Sequence, residues 1–90
     1  MIYVDQPDKP FGRMMMCHMI SDEPDGFVEL CAFASKIGVN TRWIQKSGTW
    51  KVHFDICKSK RERAIALGAV PVSNRELSDM MRAKMATVEP

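Results

Sequence analysis

Between residues 50 and 72 the chain changes its period twice, and that change limits what it can become. Trp50, Val52, Phe54 and Ile56 alternate with Lys51, His53 and Asp55, the period-two pattern of a strand with one face in a core. Ser59-Lys60-Arg61-Glu62 then has the form of a capping box, opening a helix through Leu67 that Gly68 closes. Ala69-Val70-Pro71-Val72 returns to a short strand, whose proline favours an edge or a strand end. Strand, helix and strand in this succession resemble a βαβ unit and point to an α/β fold. The alternation sends Trp50, Val52, Phe54 and Ile56 to the core, so His53 and Asp55 share the opposite face ~7 Å apart.

The remaining segments extend this frame. Ile2-Tyr3-Val4 is a short β-prone run stopped by Asp5, and Gln6 to Gly12, with two prolines, reads as a loop. Arg13 to Ile20 is dominated by methionine and has no clear period, which fits a buried connector or a short strand. Phe27, Leu30, Cys31, Ala34 and Ile37 follow the spacing of one helix face, predicting a helix over Asp25 to Ile37. Ser21 or Asp25 would cap it, and Gly38 would close it. Thr41–Lys46 and Trp50–Ile56 flank Ser47-Gly48-Thr49 as a β-hairpin. Ser73-Asn74-Arg75-Glu76 repeats the capping box ahead of a final helix marked by Leu77, Met80, Met81 and Lys84.

The expected order is β-α-β-β-α-β-α, a two-layer mixed sheet of about four strands with helices packed on it. In a ferredoxin-like split βαβ arrangement the first strand and the Trp50–Ile56 strand run in opposite senses, and Asp5 and Asp55 end at opposite edges. If those two and the Ala69–Val72 strand run the same way, the carboxylates meet at the carboxyl edge, where α/β proteins place ligands. The βαβ-like run favours the second arrangement.

Length and charge narrow the function classes. Ninety residues with 46% hydrophobic content suit one domain with a modest core. A formal charge of +2 excludes the strongly basic balance of a dedicated nucleic-acid coat, so any such contact would be local. Cys17, Cys31 and Cys57 are odd in number and lack a Cys-x-x-Cys pair, which speaks against a disulfide framework or a zinc knuckle and for a reducing cytoplasm. A charge arrives at Asp5 and no apolar run approaches the ~18 residues of a membrane span, so a soluble chain with neither an export signal nor a membrane association is expected.

The chain has only two histidines, each beside an aspartate: His18 with Asp22, and His53 with Asp55. Tyr3-Val4-Asp5, His18 with Ser21-Asp22, Glu29-Leu30, Phe33-Ala34, Gly38, His53-Phe54-Asp55, Gly68-Ala69 and Val72 together resemble a small domain family of unknown function in bacteria and their phages. The resemblance covers nearly the whole chain. Its His-aromatic-Asp triplet often has tyrosine where this chain has Phe54. It implies a stand-alone cytoplasmic domain of bacterial or phage origin, brings no activity with it, and marks the same two His-Asp pairs.

Imidazoles and carboxylates together bind metals or move protons. His18, His53, Asp55 and Asp5 would supply a divalent site for Zn, Mn or Fe, with two histidines and one carboxylate as the facial arrangement of non-haem iron. His18, Asp22, His53 and Asp55 are then the candidate catalytic set, activating water to hydrolyse a phosphoester or amide with a leftover aspartate as base. The alternative is structural: each aspartate merely accepts a bond from its histidine, or caps a helix.

A second class is a non-catalytic interaction protein that binds nucleic acid or a host protein. Lys58, Lys60, Arg61 and Arg63 crowd a helix start whose free N–H groups favour phosphate, although a solvated helix face reads the same way. Trp43 and Trp50 would stack on a base or fill a strand face. Met14, Met15, Met16 and Met19 would form a contact surface or core, and Met80, Met81 and Met85 would fill the core or pair two copies. Cys17 and His18, adjacent on a strand, would point to opposite faces and so make a poor catalytic pair, while Cys31 and Cys57 look buried.

Overall fold

The structure is a computed structural model and describes residues 1–24 and 26–85. Among the described residues it is a mixed α/β fold with five strands and three helices. The strands are β1 (Ile2–Val4), β2 (Lys9–Phe11), β3 (Met14–Ser21), β4 (Phe54–Cys57) and β5 (Val70–Pro71). The helices are α1 (Phe27–Lys36), α2 (Lys58–Ala66) and α3 (Asn74–Ala83), with a 3-10 turn at Thr41–Trp43.

The methionine-rich segment is the longest strand and the centre of the sheet. On one edge of β3, β1 and β2 lie end to end, Val4 opposite Met19 and Lys9 opposite Met16. On its other edge β4 pairs antiparallel, with His18 opposite Asp55. β5 pairs parallel with β1. Since β1 and β4 both run against β3, β1, β4 and β5 share one sense, and the two carboxylates do not separate to opposite edges. The Gln6 to Gly12 segment, expected as a loop, contains β2, because Gly12 at φ 60 turns the chain tightly into β3.

Alternation sorts the two faces. Val4, Cys17, Met19, Phe54 and Ile56 point to the face covered by α1 and α2 and join Leu30, Ala34, Ile37 and Ala64 in the main core. Tyr3, Ile20, Val70 and Val72 meet Leu77, Met80 and Met81 of α3 on the other face. The third helix thus adds a layer to the expected two, and it covers only the β1–β5 side of its face.

Several local expectations change. The hairpin is reduced to one bridge between Gln45 and His53, because the Asn40 side chain accepts from the Arg42 N–H and winds the first arm into the 3-10 turn. Trp50 consequently leaves the core and is half-buried, while Val52, Phe54 and Ile56 stay buried. The helix after β4 begins at Lys58 with Cys57 as N-cap, so the Ser59 capping box does not form; the Ser59 hydroxyl contacts the Cys57 thiol instead, at 3.3 Å. The Ser73 capping box does form, with the Ser73 hydroxyl accepting from Glu76 N–H and Glu76 accepting from Ser73 N–H. α1 starts after Gly26 without a side-chain cap; Asp25 lies outside the described residues, and Ser21 bonds the Glu29 carboxylate and Glu23 N–H instead. A Cβ at Gly26 would fall 2.4 Å from the Ser21 side chain, so the chain passes there only as glycine.

Candidate metal centre

The pairing of three strands sets Asp5, His18 and Asp55 in a row. Asp5 follows β1, and its N–H donates to the His18 carbonyl at 3.2 Å, extending the ladder by one residue. His18 lies across from Asp55 on the other edge. Alternation turns His18 and Asp55 away from the main core, onto the half-face that α3 leaves open. His53, two residues before Asp55, joins from the same face, and its ring meets that of His18 edge-on with centroids 5.3 Å apart.

Each imidazole is oriented by an acceptor behind it. His53 Nδ1 lies 2.7 Å from the Lys51 carbonyl, which can only accept, so Nδ1 carries the hydrogen and Nε2 the lone pair. His18 Nδ1 lies 2.9 Å from Asp5 Oδ2, and the same carboxylate accepts from the His18 N–H through Oδ1 at 2.6 Å. Burial pushes the Asp5 carboxyl up, but bonds from the His18 ring and backbone and from Lys9 outweigh it, so Asp5 is held below the usual carboxylate range. An ionised Asp5 therefore holds a hydrogen on His18 Nδ1, so that in the neutral ring Nε2 carries the lone pair. The Asp5 bond also raises the His18 pKa, against an opposing push from burial.

Both Nε2 atoms face Asp55 Oδ1, at 3.7 Å from His18 and 3.5 Å from His53. These separations exceed good hydrogen bonds. Ligands ~2.1 Å from a tetrahedral ion stand ~3.4 Å apart, close to the two histidine–aspartate separations. The three ligand atoms all lie within 4.8 Å of one another. Side-chain exposures of 36% for His18 and 42% for Asp55 leave solvent access on one side, as an open coordination position requires.

Asp5, expected among the ligands, stands behind the cluster. Residue Asp5 is 1% exposed, and its oxygens are taken by His18 and by Lys9 Nζ at 3.1 Å. That is the position an outer carboxylate would take behind a histidine that held a metal. Arg61 Nε fixes the same turn by donating to the Asp5 carbonyl at 2.7 Å. Asp22 is not brought to His18; it sits beyond the far end of β3 and pairs with the Met1 amino group at 2.8 Å.

The basic quartet at the start of α2 is partly committed elsewhere. Arg61 holds Asp5, and Lys60 Nζ rests over Gly38, 2.9 Å from where a Cβ would be, beside the C-terminal end of α1. Lys58 and Arg63 remain exposed. Cys17 is buried behind His18, and burial pushes its thiol up to about 12, which removes it as a nucleophile. Cys31 and Cys57 are half-buried rather than buried. Met19 is in the core, whereas Met14, Met15 and Met85 are exposed.

Sequence reasoning missed the supports. Lys9 lay in a proline-containing segment where its spacing from Asp5 meant nothing, and a backbone carbonyl such as that of Lys51 leaves no residue signature. Two clefts also flank the cluster. One, of about 430 Å³, is lined by Lys46, Trp50, Lys51 and Arg82 together with His18 and His53. The other, of about 710 Å³, is lined by Phe11, Met14 and Trp43 together with His18 and Asp55.

No helix among the described residues is long and apolar enough to cross a membrane. No curated protein and no solved structure matches the chain. A family model does match, over residues 2–84, and the chain belongs to that family, described as "Protein of unknown function (DUF4031)".

Proposed function

We propose that His18 Nε2, His53 Nε2 and Asp55 Oδ1 hold one divalent ion, Zn, Mn or Fe, and that the protein is a metal-dependent hydrolase of a phosphoester or amide. The observation that carries this reading is the shared orientation of the two imidazoles. Each gives its Nδ1 hydrogen to a fixed acceptor and turns a lone pair toward one carboxylate oxygen. With both rings neutral, two lone pairs and an anion facing one another repel, and a cation between them, or a second proton on a ring, relieves it.

A bound ion would lower the pKa of a coordinated water and polarise the bond to be cleaved. The protein's own part follows from its geometry. Asp5 and the Lys51 carbonyl hold the rings in place. Asp55 Oδ2, which has no hydrogen-bond partner among the described residues, takes the proton from water, filling the role first expected of a leftover aspartate. The water oxygen bonds to phosphorus or carbonyl carbon, the ester or amide bond breaks, and the leaving oxygen or nitrogen receives the proton. A protonated His18 bridging the two aspartates is the competing structural role, and it requires neither His53 nor an open side.

Metal analysis after reconstitution with Zn, Mn or Fe tests the reading. One ion per chain is expected in the wild type, with loss in His53→Ala and in His18→Ala while circular dichroism is retained. A wild-type protein that takes up none of the three ions contradicts it.

A further inference from the structure

The two clefts differ in chemistry and meet at His18. On one side Lys46, Lys51 and Arg82 share a wall with Trp50. Lys46 and Lys51 are exposed and form no ion pair among the described residues, and Arg82 has only Asp79 at 4.0 Å on its own exposed helix face. Lys9, in the same cleft, is already matched by Asp5 and Asp8 at 3.1 and 2.9 Å. Lys51 Nζ rests over the Trp50 ring at 5.2 Å, and three cations thus line the cleft with no carboxylate of the His18–His53–Asp55 cluster lining it beside them. A neutral amide could accept a hydrogen bond from them but would leave their charge unmatched, whereas a phosphate supplies both acceptors and charge.

Lys46 has a second peculiarity. It is the one non-glycine residue with positive φ among the described residues, at 57°, a conformation that disfavours nearly every side chain but glycine or asparagine. The Thr49 N–H and hydroxyl both donate to its carbonyl, at 3.2 and 2.7 Å, and hold it there.

On the other side of His18 the surface is apolar and aromatic. Phe11 is 66% exposed, Trp43 56% and Met14 47%, and all three line one cleft. Arg42 stands over the Trp43 ring at 5.0 Å.

We infer that the site takes a phosphate monoester whose alcohol half bears an aromatic ring, with the phosphoryl group among Lys46, Lys51 and Arg82 and the ring against Phe11, Met14 and Trp43. The inference rests on the hydrolytic reading above and names its substrate class. Water adds its oxygen to phosphorus, the ester P–O bond breaks, and the ring-bearing alcohol leaves with the proton given up by the water.

Binding to chelator-treated protein tests this apart from the metal. By calorimetry, phenyl phosphate is expected to bind at least about tenfold more tightly than inorganic phosphate, and benzamide not to saturate. Lys46→Gln with Lys51→Gln, both exposed positions, should weaken phenyl phosphate and inorganic phosphate alike by about tenfold. Trp43→Ala should erase the advantage of phenyl phosphate and leave inorganic phosphate unchanged. Equal affinities for the two phosphates, saturable benzamide, or indifference to the lysine pair overturns the assignment. If phenyl phosphate binds as expected and no divalent ion ever does, the ligand class stands and the hydrolytic reading falls.

Discussion

Asp5 is the residue on which the site turns. It is buried at the end of β1, below its ordinary pKa, and it accepts from the ring and N–H of His18, whose own pKa is raised. Linkage gives the sign for each partner. His18, raised above 6.5, contributes stability that is complete below that value and lost as pH rises through its folded pKa. Asp5, lowered below 3.8, contributes stability that is complete above that value and lost as pH falls through its folded pKa. In metal-free protein the advantage of wild type over Asp5→Asn should therefore be greatest between pH 3.8 and 6.5, and shrink on both sides. Its size there should be ~1–3 kcal/mol, the cost of disturbing a buried, charge-assisted pair. Urea titrations across pH check this, and a difference that grows steadily above pH 6.5 contradicts the pairing. The sequence singled out both histidines with Asp5, Asp22 and Asp55 but mispaired one. Asp22 is four residues from His18, yet the antiparallel register gives His18 to Asp5, thirteen residues away.

Elements set where these residues point. The alternation along β4 was legible, and Val52, Phe54 and Ile56 are buried with Asp55 turned outward, as period two requires. What was not legible was β3, because methionines occupy both its exposed and its buried positions and its run therefore has no period. The two capping boxes looked alike in sequence and diverged in structure. At Ser59 the chain was already helical from Lys58, whereas Ser73 stands one residue before its helix with extended backbone at ψ 160. Ser73→Ala should accordingly cost ~1 kcal/mol in thermal or urea unfolding, the value of a lost N-cap. Ser59→Ala, which removes no cap, should cost much less. Equal losses at the two positions would contradict this account of the helix starts.

At the scale of the whole molecule the site exists because one helix is short of covering a sheet. α1 and α2 seal one face, while α3 packs over Tyr3, Ile20, Val70 and Val72 and leaves His18, His53 and Asp55 beside two clefts. The α/β class followed from the succession of periods, which favoured the common sense of β1, β4 and β5 over the ferredoxin-like alternative without fixing it. The cross-strand row Asp5–His18–Asp55 did not, since register depends on which strand edges meet, and nothing local encodes that. The most direct test of the centre is long-range proton–nitrogen NMR of the two imidazoles in metal-free protein above the His18 pKa, and again with one equivalent of Zn²⁺. Both rings should be hydrogenated at Nδ1, and both Nε2 resonances should move on addition of zinc while Nδ1 keeps its hydrogen. An Nε2-hydrogenated ring at either position, or Nε2 resonances that ignore the ion, would contradict a metal centre built from His18, His53 and Asp55.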